Sequence, residues 1–326
     1  FDITTEPDVR HMLISFHATI GKEKAQTNIH DATITLAIQN SSPFESAQVN
    51  NSTCACSKFD YSPQREGKYG EQVLANFKNG FVIETAIRTA AETDKSGNFY
   101  QTSSLICTIS EQGGKTALAS LWYKPPDNQE TSNMFGNHAQ IEGSVAFLSM
   151  YNNTYLVVKI VMHYKNSISE ENANVELFNV IEIAPQTLSV MKGNFFRQNH
   201  WLGMYGYTSG LNSNQVLLSE LNVTCEQNNA AIQALVEQAA KKKVFCINPR
   251  CPLGSQVLIA HLHKNQCLHH PGPVESSEIG YEDRIYNFKC CNVTTHNYFL
   301  PGCTTGPHRM LSCKLESWLH KKEKRT

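Results

Sequence analysis

Residues 79–88, NGFVIETAIR, carry the pattern that decides the fold class of this chain. Apolar and polar residues alternate here, so Phe81, Ile83 and Ile87 fall on one face of an extended strand. Glu84 points to the opposite face. Alternation with a period of two is typical of a strand that has one face on a hydrophobic core.

Nine further strand-like runs flank this stretch, and Asn-Asn, Gly-Gly, Pro-Pro and Ser-Gly steps separate many of them. The runs lie at residues 11–18, 31–38, 104–110, 116–123, 143–151, 154–164, 174–183, 200–207 and 215–223. Ten strands without intervening helices exclude a βαβ fold. They predict a mainly β chain with an antiparallel, jelly-roll-like β-sandwich over residues 1–224.

The composition suits a folded chain and excludes some classes of function. The 326 residues are 40% hydrophobic and 17% charged, which is enough to bury a core. The 28 Lys and Arg nearly balance the 29 Asp and Glu, giving a net charge of −1. This balance excludes a bulk electrostatic attraction to nucleic acid or to an anionic membrane. No apolar run approaches the ~20 residues that span a bilayer.

The composition changes after the sandwich, where residues 225–245 predict a linker helix. Its apolar stripe has the spacing i, i+3, i+4, i+7 and consists of Ile232, Leu235, Val236 and Ala239. We expect this stripe to pack on the β domain. Residues 241–243 are three lysines, which we expect in the last helical turn, where cations complement the helix dipole.

The region after the helix is enriched in both Cys and His. Seven of the 11 Cys lie between Cys246 and Cys313, and seven of the 13 His lie between His261 and His320. A disulfide scaffold would be rich in Cys without the matching His. Joint enrichment therefore predicts a small, irregular metal-binding domain at residues 246–313, followed by a basic tail at 314–326.

Six Cys and two His in this domain have a spacing that suits two Cys3His sites. Zinc prefers four thiolate and imidazole ligands in a tetrahedron, and a fully ligated site leaves no position for water. The sequence therefore predicts two structural zinc ions. The predicted ligands are Cys246, Cys251, Cys267, His270, Cys290, Cys291, Cys303 and His308.

Three details of this assignment stay open in the sequence. Side chains of adjacent residues diverge, so we expect Cys290 and Cys291 to serve different ions and to join the two sites. Either His269 or His270 can be the ligand, and we choose His270. The ligands that share one ion cannot be assigned from spacing alone.

The remaining Cys and His residues in or near the pattern are not expected to bind metal. We expect His261, His263 and His296 either to be solvated or to contact the ligands without binding metal, and Cys313 to be a buried thiol. Residues 54–56 form a Cys-x-Cys in a loop rich in Ser and Asn, which is at most a minor candidate for a metal or redox site.

Residues 246–308 resemble a CHORD domain, a cysteine- and histidine-rich zinc module. The shared pattern is C-x4-C, then C-x2-H-P-G at Cys267, then a Cys-Cys pair, then G-C-T-x-G-P-H from Gly302. The aromatics before the pair are Tyr286 and Phe288, where family members usually carry Trp. The resemblance implies an adaptor that binds chaperones of the ninety-kilodalton heat-shock class.

Residues 1–224 resemble concanavalin-A-like jelly rolls, including lectin and laminin-G-like modules, and a SPRY-like sandwich fits nearly as well. The resemblance rests on NGFVIETAIRT near the centre, LGMYGYTSG at 202–210 and the closing strand QVLLSELNV. It implies a recognition domain for a glycan or a protein. No sugar or calcium ligand can be assigned from it.

The sequence favours a non-enzymatic interaction protein. It contains no G-x-S-x-G, H-E-x-x-H or phosphate-binding G-x-x-x-x-G-K-[ST]. Glycosidase and atypical ubiquitin ligase are minor alternatives, and a lectin with an accessory zinc module is the second hypothesis. We expect a protein partner to bind residues 246–313 through apolar side chains left on the surface: Leu262, Leu268, Tyr281, Ile285 and Tyr298.

Two features bear on the compartment and point in opposite directions. Unpaired thiols suit a reducing cytosol, so we expect a cytoplasmic protein. Six Asn-x-Ser/Thr matches favour secretion instead. They begin at Asn40, Asn50, Asn51, Asn152, Asn222 and Asn292.

Overall fold

The computed structural model describes most of the strand-forming and Cys-rich parts of the chain, which are mainly β with one α-helix, α1 (Ala230–Ala240). Within these described residues, no helix has the length and apolar character needed to cross a membrane. The described ranges are 2–3, 11–22, 32–39, 80–93, 96–97, 99–111, 116–123, 135–166, 171–184, 200–208, 214–225, 229–248, 251, 253, 256–264, 266–278, 284–298 and 300–313.

The described strands fall into a long series before the helix and a short series after it. Those before α1 are β1 (Asp2–Ile3), β2 (His11–Lys22), β3 (Ala32–Gln39), β4 (Gly80–Thr93), β5 (Phe99–Glu111), β6 (Thr116–Tyr123), β7 (Phe135–Met150), β8 (Asn153–Asn166), β9 (Asn172–Ile183), β10 (His200–Thr208) and β11 (Asn214–Thr224). Those after α1 are β12 (Lys243–Val244), β13 (Val257–Leu258), β14 (Cys267–His269), β15 (Val274–Glu278), β16 (Arg284–Phe288), β17 (Val293–Thr295), β18 (Thr304–Gly306) and β19 (Ser312–Cys313).

The eleven strands before α1, together with β19, form two six-stranded sheets. Sheet 1 has the order β1-β10-β3-β4-β5-β6, and sheet 2 has the order β11-β2-β7-β8-β9-β19. Neighbouring strands are antiparallel, except that β19 pairs with β9 in parallel. Each of the ten predicted runs coincides with a strand. The prediction of a mainly β chain with an antiparallel sandwich and a small Cys-rich region is therefore confirmed.

The main hydrophobic core lies between the two sheets. In β8, Leu156, Val158 and Ile160 enter this core because alternate residues of a strand share a face. Ile83 and Ile87 of β4 enter it from sheet 1, as the pattern of the opening stretch predicts. The side chain of Phe81 lies outside the described part of the structure.

The opposite face of sheet 2 is buried as well. Tyr155 and Val157 point away from the main core and pack in a second cluster with residues that follow the sandwich. This second cluster contains Leu13, Ala146, Leu148, Met150, Val180, Ile232, Leu235, Ala239, Cys246, Val257, Ile259, Leu262, Cys267 and Met310. The metal-binding region therefore shares a core with the sandwich. Sheet 2 is the middle one of three layers.

Helix α1 attaches to sheet 2 through the stripe that its sequence predicts. Ile232, Leu235 and Ala239 are buried in the second cluster, and Val236 packs against it. The Asn229 side chain caps the first turn by accepting hydrogen bonds from two backbone amides.

The prediction that the three lysines lie in the last helical turn is wrong, because the helix ends at Ala240. Lys241 is already the C-cap residue. Lys242 instead donates from Nζ to the Phe178 carbonyl of β9, at 3.2 Å. This contact adds a polar attachment between the region after the helix and sheet 2.

A close contact between β2 and β7 gives a test of the main core. Phe16 pairs with Gly143, and a Cβ atom added at Gly143 would overlap the Phe16 ring. Gly143→Ala should therefore reduce the free energy of unfolding by about 1–3 kcal/mol in urea titrations. Gly21→Ala is the matched control, because its added Cβ would meet its nearest neighbour at 3.7 Å.

The same pair predicts strong non-additivity. Phe16→Ala alone should cost about 3–5 kcal/mol because the ring is fully buried. In the Phe16→Ala background the ring is absent, so Gly143→Ala should add little further loss. Strictly additive losses in the double variant would show that the ring does not lie over Gly143.

Candidate metal centres

A short two-stranded ladder positions ligands at both of its ends. β14 and β18 are antiparallel, with Cys267 opposite Gly306 and His269 opposite Thr304. Cys267 and His308 therefore meet at one end of the ladder. His270 follows β14 and Cys303 precedes β18, so these two meet at the other end.

The first group is completed by the segment that follows β12. The Ile247 amide donates to the Arg309 carbonyl at 2.7 Å, which brings Cys246 beside the residues around His308. A turn closed by the Cys251 amide and the Asn248 carbonyl, at 3.2 Å, returns Cys251 to the same place. The first group is thus Cys246, Cys251, Cys267 and His308.

The second group is completed by the turn between β16 and β17. This turn carries Cys290 and Cys291 to the end of the ladder where His270 and Cys303 meet. In each group the four ligand atoms lie within 4.8 Å of one another. The structure thus brings together all eight residues that the sequence selects, as two sets of three Cys and one His that can hold metal ions.

The distances within each group fit tetrahedral coordination. Metal–sulfur bonds of 2.3 Å and metal–nitrogen bonds near 2.0 Å imply S···S edges of about 3.8 Å and S···N edges of about 3.6 Å. In the first group Cys246 Sγ lies 3.8 Å from Cys267 Sγ, and Cys251 Sγ lies 3.4 Å from His308 Nδ1. The donor set and its spacing therefore suit a four-coordinate ion.

The second group has the same spacing. His270 Nδ1 lies 3.3 Å from Cys290 Sγ and 3.8 Å from Cys291 Sγ. Cys303 Sγ lies 3.5 Å from Cys290 Sγ. Disulfide bonds are near 2.05 Å, so these sulfur atoms are separate thiols. Both histidines present Nδ1 to the sulfur atoms.

The expectation that Cys290 and Cys291 serve different ions is wrong, because both belong to the second group. Side chains of neighbouring residues diverge in a strand, but these two lie in a tight turn. The turn is closed by the Cys291 amide and the Phe288 carbonyl at 3.2 Å, and Asn292 follows with φ 54°. The two sites are joined by the β14–β18 ladder instead of by the cysteine pair.

The structure places His270, and not His269, beside the thiols. The His269 ring turns back to its own strand, where Nδ1 lies 3.0 Å from the Cys267 carbonyl oxygen. A Cβ atom added at Gly302 would overlap the His269 backbone, so the position before Cys303 requires glycine. Because the two backbones pack this closely, Gly302 sets the distance between β14 and the loop that supplies Cys303.

Among the described residues, no other Cys or His side chain belongs to either group. His261, His263 and His296 are exposed, and the His263 ring stacks on Tyr151 at 5.0 Å. Cys107 lies in the main core, where burial raises the pKa of its thiol to about 12. Three further candidates lie outside the described part of the structure: Cys54, Cys56 and the side chain of Cys313.

Two residues around the sites were missed by sequence reasoning. The buried Asn248 side chain donates from Nδ2 to Cys267 Sγ at 3.3 Å and to the Pro307 carbonyl at 2.8 Å. The Phe288 ring is fully buried and packs on the His270 ring at 4.3 Å. Phe288 stands where the resemblance notes an aromatic, so position was a usable signal, whereas nothing in the sequence marks Asn248.

In the first group, burial shifts the pKa values of two side chains in directions that affect metal binding. Burial raises the pKa of Cys267 to about 12, partly offset by the Asn248 hydrogen bond. Metal binding there must displace a firmly held proton. Burial lowers the pKa of His308, with His261 and His269 adding to the effect. This shift favours the neutral imidazole, which is the form that ligates metal.

In the second group, the pKa of the Cys290 thiol is lowered. Burial alone would raise its pKa, but the backbone hydrogen bond from Gly272 and the side chains of His270, Cys303 and Cys291 outweigh it. The result is a pKa of about 7 for Cys290. Its thiolate therefore forms near neutral pH even before an ion binds.

No protein-family model matches this chain, and comparison with curated proteins gives no relative. The likeness of residues 246–308 to the CHORD family thus rests on the motif described above.

The grouping of the adjacent cysteines can be tested by counting metal. Cys291→Ser should reduce the metal content from two ions per chain to one, measured by elemental analysis of the purified protein. Cys251→Ser, in the other group, should also leave one ion. The double variant Cys290→Ser, Cys291→Ser should retain one ion as well, and a metal-free double variant would contradict the grouping, because it would place the two cysteines in different sites.

The role of Asn248 is tested by its removal. Asn248→Ala deletes a hydrogen bond to a ligating sulfur, and such losses cost about 10–100-fold in metal affinity. Competition with a chromogenic chelator should show this loss for one of the two ions. Asn297→Ala, at an exposed position, should leave both affinities unchanged. Equal affinities in the two variants would make Asn248 irrelevant to metal binding.

Proposed function

We propose that residues 246–308 hold two structural zinc ions and that the chain is a non-enzymatic interaction protein. The observation that carries this proposal is the completeness of both groups, each with three Cys and one His. Zinc suits mixed thiolate and imidazole ligands at four-coordination. Four protein ligands leave no open position on the ion for a reacting water, so the ions have a structural role.

The module formed by these residues binds a protein partner in our proposal. Large apolar side chains on the surface support it, since exposed apolar patches often mark binding surfaces. Phe245 and Leu311 are 63% and 76% exposed, and Ile247 is also exposed. The hydrogen bond between Ile247 and Arg309 holds the two segments side by side. We define this set as the apolar patch: Phe245, Ile247 and Leu311.

The apolar patch differs from the surface that the sequence suggests. Leu262 is buried in the second cluster, so it cannot contact a partner. Leu268 and Ile285 are half-buried, whereas Tyr298 is exposed. Tyr281 lies outside the described residues. Buried and exposed side chains alternate along the chain around Cys246. The cysteine therefore points to the core, and the residues on either side of it point to solvent.

The first candidate partner is a chaperone of the ninety-kilodalton heat-shock class, on the basis of the motif resemblance. The test uses the purified, zinc-loaded full chain and a purified chaperone of this class, with binding measured by calorimetry. Phe245→Ser combined with Leu311→Ser should weaken binding at least about tenfold. Two apolar side chains that become buried when the partner binds contribute several kcal/mol to the binding free energy.

A matched control separates the patch from general surface polarity. Trp122 and Leu217, on β6 and β11, are 66% and 63% exposed, so the same serine changes there should leave the affinity unchanged. Both variants should retain two zinc ions. Equal affinities of the two double variants would contradict the assignment of the partner surface, and a metal-free full chain would contradict the zinc module itself.

A further inference from the structure

The two metal groups differ in how well the fold shields their sulfur atoms. Cys246 and Cys267 are 2% and 0% exposed, because both lie in the second cluster against helix α1 and sheet 2, and the third cysteine of this group, Cys251, is half-buried. Cys303 is exposed, while Cys290 and Cys291 are half-buried. A small oxidant that arrives from solvent therefore reaches the second group first.

Within the second group, the exposed thiol has a partner thiol at close range. Cys303 Sγ lies 3.5 Å from Cys290 Sγ, so a shift of about 1.5 Å brings the two atoms to the length of a disulfide bond. Cys290 sits in the turn after β16, and Cys303 sits in the loop before β18. Both positions lie outside the strands.

We propose that Cys303 and Cys290 form an oxidant-sensitive site, at which hydrogen peroxide produces a disulfide and releases the metal ion of the second group. The inference rests on the proposed zinc module. The ion of the first group stays bound, because two of its three cysteines are covered by the core that the module shares with sheet 2 and none of the three is exposed. The site thus removes one of two ions and leaves the attachment of the module in place.

The reaction balances with peroxide as the only co-reactant. The Cys303 thiolate attacks one peroxide oxygen, the O–O bond breaks, and hydroxide leaves, which gives a sulfenic acid on Cys303. The Cys290 thiolate then attacks the sulfenic sulfur, the S–S bond forms, and a second hydroxide leaves. Two thiolates have given up two electrons to the peroxide. A zinc ion held by this group would lose two of its four ligands and would be released as Zn²⁺.

The experiment uses the full chain with its metal content measured beforehand. The experiment presupposes two zinc ions per chain. A different count contradicts the proposed zinc module, but it does not by itself contradict the order in which the cysteines are oxidised. Peroxide is then added, zinc release is followed with a chromogenic chelator, and disulfides are mapped by mass spectrometry. We expect one equivalent to leave at least about tenfold faster than the other, with a Cys290–Cys303 disulfide.

Variants make the assignment specific. Cys303→His keeps a metal-binding side chain but removes the disulfide partner, so the fast equivalent should become slow while two ions remain bound before oxidation. Cys225→Ser, which changes a half-buried thiol outside both groups, should behave as the unmodified chain. Simultaneous loss of both ions, or a first disulfide between Cys246 and Cys267, would overturn the inference even if Cys303→His fails to bind metal.

Discussion

The ladder between β14 and β18 is the constraint on which the metal-binding region depends. It is only three residue pairs long, and each of its ends supplies one Cys and one His to a different group. A ladder this short has little stability of its own. Two four-coordinate ions would fix both ends, and the ladder in turn sets the distance between them. Binding of such ions would therefore be coupled to folding of this region.

The same region is anchored because sheet 2 is buried on both faces. Alternate residues of β8 serve the main core and the second cluster, so a single strand contributes to both. Two ligands, Cys246 and Cys267, are members of the second cluster. Stability of the first group thus depends on the packing of α1 against the sandwich, and loss of that group exposes apolar surface of sheet 2.

The sequence predicted most of this fold because its signals are local. Alternation and turn residues located ten strands, and the stripe on α1 located a buried face. The eight residues that form the two Cys/His groups were selected through spacing, which is also local. Three features were not predicted, because each depends on tertiary contacts. These are the turn that gives Cys290 and Cys291 to one group, the Asn248 side chain on Cys267, and the packing of the metal-binding region on sheet 2.

The parallel pairing of β19 with β9 has a consequence for how the chain is made. β9 is synthesised before the metal-binding region, but Ser312 and Cys313, which pair with Glu182 and Ile183 at its end, follow only after that region. Pairings between distant segments form slowly, and an uncovered strand edge is a site for association with other chains. During translation, this end of the β9 edge therefore stays unpaired with β19 until the last cysteine has left the ribosome. A nascent chain that stalls before residue 312 carries an open template for aggregation.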